Sequence, residues 1–267
     1  MAVSSAAQKA EAAAFAKLSK KLGKPTAFAK PAGFETAFPD FGFRLFVGGK
    51  KVDLHIEYKA DAKAQMGSMR DWAFDGTKFS TPDTSNDEKT ELIEIMNSSR
   101  DCITNGKRLL SDFKTYSDKN IKKIYSGMMT VEKDKEVRRA KLINFTNNTK
   151  NYQLAKIDDK SIGSKIIQHY KQKFAKSTKK DADYSLLLMM IDDQMWYVDS
   201  SGNLSGADQQ KVADMLGGKI PVMNSLKAQL EVRIQPRGLS APNKPVSIDV
   251  MASFRLSGAP PSGLKVI

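Results

Sequence analysis

The chain is poor in the residues that build disulfides and zinc sites. It has one cysteine, Cys102, and two histidines, His55 and His169, 114 positions apart in a chain of 267 residues. A single thiol cannot close an internal disulfide, so nothing points to an oxidising compartment. Cys102 lies in a helix-like, partly apolar stretch and reads as packing. With two distant histidines and one cysteine, a structural zinc site has no ligand set. Long apolar runs are also lacking. The longest, Ser185 to Ile191 (SLLLMMI), is too short to span a bilayer. The N-terminal MAVSSAAQKAEAAAFAKLSKKLG scatters lysines through an alanine-rich helix pattern instead of forming an apolar signal core. A cytoplasmic protein without a membrane partner is the expectation.

Several enzyme signatures are missing too. Gly48-Gly49-Lys50-Lys51 lacks the spacing of a phosphate-binding P-loop, and no helix pattern follows it. Gly217-Gly218-Lys219 is a turn signal only. There is no dinucleotide fingerprint, no Gly-x-Ser-x-Gly elbow and no His-Glu-x-x-His. Internal repeats and extended low-complexity tracts are likewise missing.

Positive charge is in excess, with 43 Lys and Arg against 30 Asp and Glu, a net charge of +13. Such an excess favours a polyanionic partner through counterion release, and nucleic acid is the commonest one. Hydrophobic residues at 40% and charged residues at 27% are those of a globular domain able to bury a substantial core. One elaborated domain over 1–267 is expected. It would comprise a core motif at 39–72, a lysine-rich helical insertion at about 88–180 and a β-rich C-terminal part at 181–267.

Residues 5–22 read as an amphipathic helix, KPTAFAKPAG as a loop or short edge strand, and ADAKAQMGSMRDW (60–72) as a helix. YSLLLMMI resembles a strand buried on both faces, and MWYVD follows it after a turn. LEVRIQPR and KPVSIDVMASFRL alternate as strands.

The most informative stretch is PDFGFRLFVGGKKVDLHIEYK, Pro39 to Lys59. Two period-2 runs meet at Gly48-Gly49, a hairpin signal because a primed turn needs the positive φ that glycine supplies without strain. With those glycines as the turn, Phe41 faces Ile56, Phe43 faces Leu54 and Leu45 faces Val52, which makes one face apolar. On the other face Arg44 meets Asp53, and Asp40 lands opposite Glu57. Directly opposed residues hold their Cβ atoms roughly 4.5–5.5 Å apart, close enough for two carboxylates to share a cation. Lys59 lies on the same face. A hard dication with oxygen ligands, Mg²⁺ or Mn²⁺, is the usual answer to such a pair. The bland reading is a sheet with one wet face, on which His55 would be a solvated strand histidine.

Pro39-Asp40, the sixteen-residue spacer and Glu57-Tyr58-Lys59 resemble the PD-(D/E)xK nuclease superfamily, which includes restriction endonucleases, Holliday-junction resolvases and phage-type exonucleases. The resemblance implies a restriction-endonuclease-like α/β (α+β) fold, a mixed central sheet flanked by helices, here with a helical insertion. It implies Asp40 and Glu57 as metal ligands, the Tyr58 carbonyl as a further ligand and Lys59 as the catalytic lysine. Members also carry a glutamate on the first helix, for which Glu11 or Glu35 could serve, and a Gln or Lys on the helix after the motif, for which Gln65 is the candidate. Asp53 is a rival acid on the same strand, but Arg44 faces it and it stands about 13 Å from Glu57 at ~3.3 Å per residue.

Three functions are weighed. The first is a Mg²⁺-dependent DNA nuclease using water as nucleophile, with RNA left open as substrate. Arg70, Lys165, Lys171, Lys173, Arg233 and Arg237 would meet phosphates, giving affinity but little sequence reading, and a homodimer could cut two strands. The second is a non-catalytic basic nucleic-acid-binding accessory protein. The third is a structural protein with an acidic protein partner.

Overall fold

The computed structural model describes residues 6–31, 38–69, 72–82, 84, 87–116, 124–125, 153–158, 160–177, 181–201, 205–237 and 247–266. In chain order these form α1 (Ala6–Lys21), β1 (Thr26–Ala29), β2 (Phe41–Val47), β3 (Lys50–Lys59), β4 (Gln65–Met69), β5 (Ala73–Phe74), β6 (Phe79–Ser80), α2 (Asp87–Ser98) and α3 (Arg100–Tyr116). There follow β7 (Ile124–Tyr125), β8 (Gln153–Asp158), α4 (Lys160–Ser177), β9 (Tyr184–Ile191), β10 (Gln194–Ser201), α5 (Gly206–Leu216), β11 (Ala228–Arg237), β12 (Ser247–Leu256) and β13 (Leu264–Lys265). The protein is therefore mixed α/β. No helix among the described residues is long and apolar enough to cross a membrane.

Two compact units emerge. The first comprises Met1–Ala64, Gly163–Lys227 and Leu256–Ile267; the second comprises Gln65–Ile162 and Ala228–Arg255. The first is built on a six-stranded sheet in the order β1-β2-β3-β9-β10-β13. Strands β3 and β9 are parallel, while the β1/β2, β2/β3, β9/β10 and β10/β13 pairs are antiparallel. A parallel pair cannot be joined by a tight turn. Between β3 and β9 the chain runs through the second unit and returns along α4.

The β2–β3 hairpin has the register that the glycine pair dictates. Phe41 pairs with Ile56, Phe43 with Leu54, Arg44 with Asp53 and Leu45 with Val52. Gly48 and Gly49 have φ of 60° and 77°, the left-handed pair that a two-residue primed turn requires. One slip in register would move every large side chain to the wrong face.

That apolar face packs against two helices. From α1 come Ala14 and Leu18, with Leu22 just after it, and from α5 come Val212 and Leu216; all are buried with Phe41, Phe43, Leu45, Val52, Leu54 and Ile56. Phe15 of α1 stacks on Phe43 with ring centroids 5.0 Å apart. Leu18 is fully buried, so Leu18→Ala would cost on the order of 2–5 kcal/mol through lost transfer energy and the cavity left behind.

The opposite face is not wet. Asp53, His55 and Glu57 on β3 are buried, as are Leu187 and Met189 on β9. Helix α4 helps to cover this side: the Phe174 ring lies 5.1 Å from His55. On its other flank His55 meets Phe28 of β1 at 4.9 Å. That ring fits because position 42 is glycine; a Cβ there would stand 2.3 Å from it. His55 is thus a core residue and not a solvated strand histidine. Covering both faces also explains why YSLLLMMI reads as an unbroken apolar run: all of β9 after Tyr184 is buried.

The second unit holds a sheet in the order β4-β12-β11-β8, a small sheet β6-β5-β7, and helices α2 and α3. Trp72, Phe74 and Phe79 are buried together, with centroids 5.3 Å (Trp72–Phe79) and 4.5 Å (Phe74–Phe79) apart. Cys102 is buried, in keeping with a packing role.

Two expectations change here. Among the described residues of 60–72 there is no helix; Ala60–Ala64 turn about Asp61, which accepts from the Lys63 amide, and β4 follows. Ala, Gln and Met are good helix formers, but propensity is a weak prior, and pairing of β4 with β12 overrides it. The helical reading of 88–180 holds for α2, α3 and α4, but 124–125 and 153–158 are strands. Beyond its first residues, α4 belongs to the first unit. Positions 117–123 and 126–152 lie outside the described residues.

Candidate active site

At the open end of the β2–β3 hairpin, one residue past the last registered pair, Asp40 and Glu57 oppose each other. The Tyr58 amide donates to Asp40 Oδ2 at 2.7 Å. Lys59, the last residue of β3, turns its ammonium between the two acids: Nζ lies 2.5 Å from Glu57 Oε1 and 4.0 Å from Asp40 Oδ2. The alternation of the strand explains the arrangement. Residues 57 and 59 share a face, and the antiparallel partner presents residue 40 to the same face. The carboxylates are therefore not split across the sheet.

The backbone adds a second feature. The Lys59 carbonyl accepts from the Asp192 amide at 2.8 Å, toward the β9 side. The Tyr58 amide points the other way, to Asp40. By strand alternation the Tyr58 carbonyl shares that direction, which is the direction the expected third oxygen ligand requires.

Two further residues belong to the cluster. Glu11, half-buried on α1, lies within electrostatic range of Lys59, Glu57 and Asp40. Tyr170 of α4 is buried, and its hydroxyl donates to Glu57; its ring centroid lies 5.8 Å from Lys59 Nζ. Of the alternatives on the first helix or the loop after it, Glu11 is at the site; Glu35 lies outside the described residues.

The electrostatics follow from two carboxylates sharing one ammonium, with Glu11 a third acid within electrostatic range. Burial, reinforced by the Glu57 carboxylate, pushes the Asp40 carboxyl up to about 7 against the pull of Lys59 and the Tyr58 amide. Burial likewise raises Glu11, partly offset by Lys59. For Lys59 burial opposes the charge, but Glu57 and Asp40 outweigh it, and the ammonium is held above its ordinary range. One lysine does not satisfy this group of acids.

Among the described residues no set of three or more Asp, Glu, His or Cys is arranged as a ready-made metal cage. Two carboxylates and a carbonyl nonetheless suit Mg²⁺, which keeps several waters and is bound through one or two carboxylates plus substrate phosphate, not by an all-protein cage.

The other predicted residues fall in different places. Asp53 is fully buried and held by Arg44, with Nε to Oδ1 at 2.7 Å and Nη2 to Oδ2 at 2.8 Å. It is a structural acid. Gln65 opens β4 and belongs to the second unit, because the segment after the motif is a strand and not the expected helix. Lys165, Lys171 and Lys173 are half-buried on α4, and Lys173 Nζ stands 5.8 Å from the Tyr170 centroid. Arg233 and Arg237 sit on β11; their side chains, and Arg70 altogether, lie outside the described residues.

Tyr170 was not anticipated. Its signal is present, since it is the one residue with a polar tip on the buried stripe Ile162, Ile166, Tyr170, Phe174, but that stripe becomes informative only once α4 is known to lie over β3. No protein-family model matches the chain, and no curated protein or solved structure matches it either.

Proposed function

We propose that the protein is a divalent-metal-dependent nuclease of the PD-(D/E)xK type that hydrolyses phosphodiester bonds in DNA. The observation that carries the reading is the convergence of Asp40, Glu57 and Lys59 at one end of the hairpin. The order α1, β1, β2, β3, α4, β9, with β3 parallel to β9, supports it. The family core that the motif implies is likewise a helix, a β-meander, a second helix and a further strand. In this reading α4 fills the place first given to residues 60–72. The net charge of +13 supplies attraction to a polyanion.

Asp40, Glu57 and the Tyr58 carbonyl would hold Mg²⁺ or Mn²⁺, which when bound polarises a phosphoryl oxygen and lowers the pKa of water. Lys59 places a compact positive charge beside the carboxylates, where it orients the attacking water by hydrogen bonding and offsets charge accumulating on phosphorus. Water would form the new P–O bond as the P–O bond to the leaving sugar oxygen breaks, the water's proton passing to solvent and the leaving oxygen taking a proton from solvent, and no bond to the protein is made. Burial of Glu57 keeps its carboxylate oriented. The lysines of α4 neutralise neighbouring phosphates and fix the register of the strand without reading its sequence.

The test is incubation of linear and circular DNA with the protein and Mg²⁺, repeated with EDTA and with Lys59→Ala. Cleavage should require the metal and fall by about 10²–10³-fold in kcat in the variant, with DNA binding retained. Tight, salt-sensitive binding without any nicking would instead select the non-catalytic accessory reading.

A further inference from the structure

Within the nuclease reading, on which this inference rests, we propose that Tyr170 is a positioning residue that locks the Glu57 carboxylate through its buried hydroxyl, so that a metal entering the site displaces Lys59 and not Glu57. The two acids of the pair are held unequally. Asp40 accepts one backbone N–H, from Tyr58, and its side chain keeps 25% exposure. Glu57 takes two side-chain donors, Lys59 Nζ and the Tyr170 hydroxyl, and its side chain is only 8% exposed.

Of those two donors, one can move and one cannot. Lys59 reaches Glu57 by a flexible four-carbon stem and sits where a cation shared by the pair would sit, 2.5 Å from one acid and 4.0 Å from the other. Tyr170 is rigid, with two rotatable bonds. It is buried on a helix whose adjoining turns are pinned by Ile166, Ile167 and Phe174, and near its start Gly163 brings α4 against the Leu226 carbonyl so closely that a Cβ would stand 1.8 Å from it. With a cation between Asp40 and Glu57, the ammonium would be repelled and the phenol would stay in place. Lys59 would then leave the carboxylate, while Glu57 would keep one donor and its orientation. Groups that orient a ligating side chain from behind typically contribute 10–100-fold to metal affinity or activity.

The test uses the full-length chain in three forms: wild type, Tyr170→Phe, and Phe174→Leu as a control that disturbs the same helix without touching Glu57. Mn²⁺ affinity is measured calorimetrically without DNA, and cleavage kinetics are measured separately. Tyr170→Phe keeps the ring and should melt close to wild type, bind Mn²⁺ about 10–100-fold more weakly, and lose kcat with KM for DNA unchanged; Phe174→Leu should retain wild-type Mn²⁺ affinity. Wild-type affinity and kcat in Tyr170→Phe would overturn the positioning role and leave the nuclease reading standing. An equal loss of affinity in Phe174→Leu would also overturn it, because the effect would then be packing alone. A wild-type protein that neither binds Mn²⁺ nor cuts would remove the nuclease reading itself, and the positioning role with it.

Discussion

Two charge clusters lie on the same face of the same hairpin, and they are built on opposite principles. At Arg44, a bidentate pair to Asp53 is completed by a third hydrogen bond from Nη1 to Asp181 Oδ2 at 2.9 Å. Each guanidinium nitrogen donates one hydrogen bond, and Asp53 has both oxygens occupied by the pair. Four residues along β3, roughly 13 Å at 3.3 Å per residue, Glu57 and Asp40 share a single ammonium with Glu11 within electrostatic range, and Asp40 is left with its carboxyl pushed up to about 7. The first cluster holds the sheet together. The second is under-compensated, and that excess of negative charge is what an incoming cation would relieve. Sites that must accept a ligand are where a fold leaves charge unbalanced.

The largest break in this contrast should come from Arg44→Met. It strips the partner from an aspartate that has no exposure at all, and orphaning one member of a buried pair costs about 3–5 kcal/mol. Urea denaturation at neutral pH reads it. A loss below about 1 kcal/mol would mean that Asp53 finds other compensation and that the two clusters differ less than their geometry suggests.

Asp40→Asn should act in the opposite direction. Because folding raises the Asp40 pKa to about 7, the native state binds a proton more readily than the unfolded chain, whose carboxyl titrates near ~4. The stability linked to that proton is fully present below about pH 4 and is lost as the pH rises through about 7. Asn keeps the acceptor for the Tyr58 amide and carries no charge. At pH 8 the variant should therefore be more stable than wild type by up to about 4 kcal/mol, for a pKa rise of about 3 at about 1.4 kcal/mol per unit, with the difference vanishing near pH 4, while cleavage is lost. Equal stability of the two proteins across that range would place Asp40 in a relaxed environment and remove the argument for a cation there.

How much of this was legible in the sequence depends on how local each feature is. The hairpin, its register, the Arg44–Asp53 pair and the meeting of Asp40, Glu57 and Lys59 follow from one glycine pair and a period of two, so they could be read before any coordinates. What surrounds them could not. Which helix covers Glu57 is decided by a parallel β3–β9 pairing between segments more than 120 positions apart, and no local pattern encodes that. The strand at Gln65–Met69 is hidden for the same reason, since its partner β12 is about 180 positions further along the chain. The burial of His55 was hidden likewise, because it needs Phe28 from β1 and Phe174 from α4 at once.

The smallest expected effect sharpens the contrast from outside. If the α4 lysines track phosphates, Lys171→Ala and Lys173→Ala should each weaken DNA binding similarly for every sequence and reduce the slope of log affinity against log salt by about 1. Arg44→Met, assayed below its melting temperature, should leave that slope unchanged, because its guanidinium is already committed to Asp53 and Asp181. Titration of a labelled duplex at several salt concentrations separates the two. A slope that drops with Arg44→Met but not with Lys173→Ala would reverse the assignment: the balanced cluster would be the one facing the polyanion, and α4 would serve only to cover the sheet.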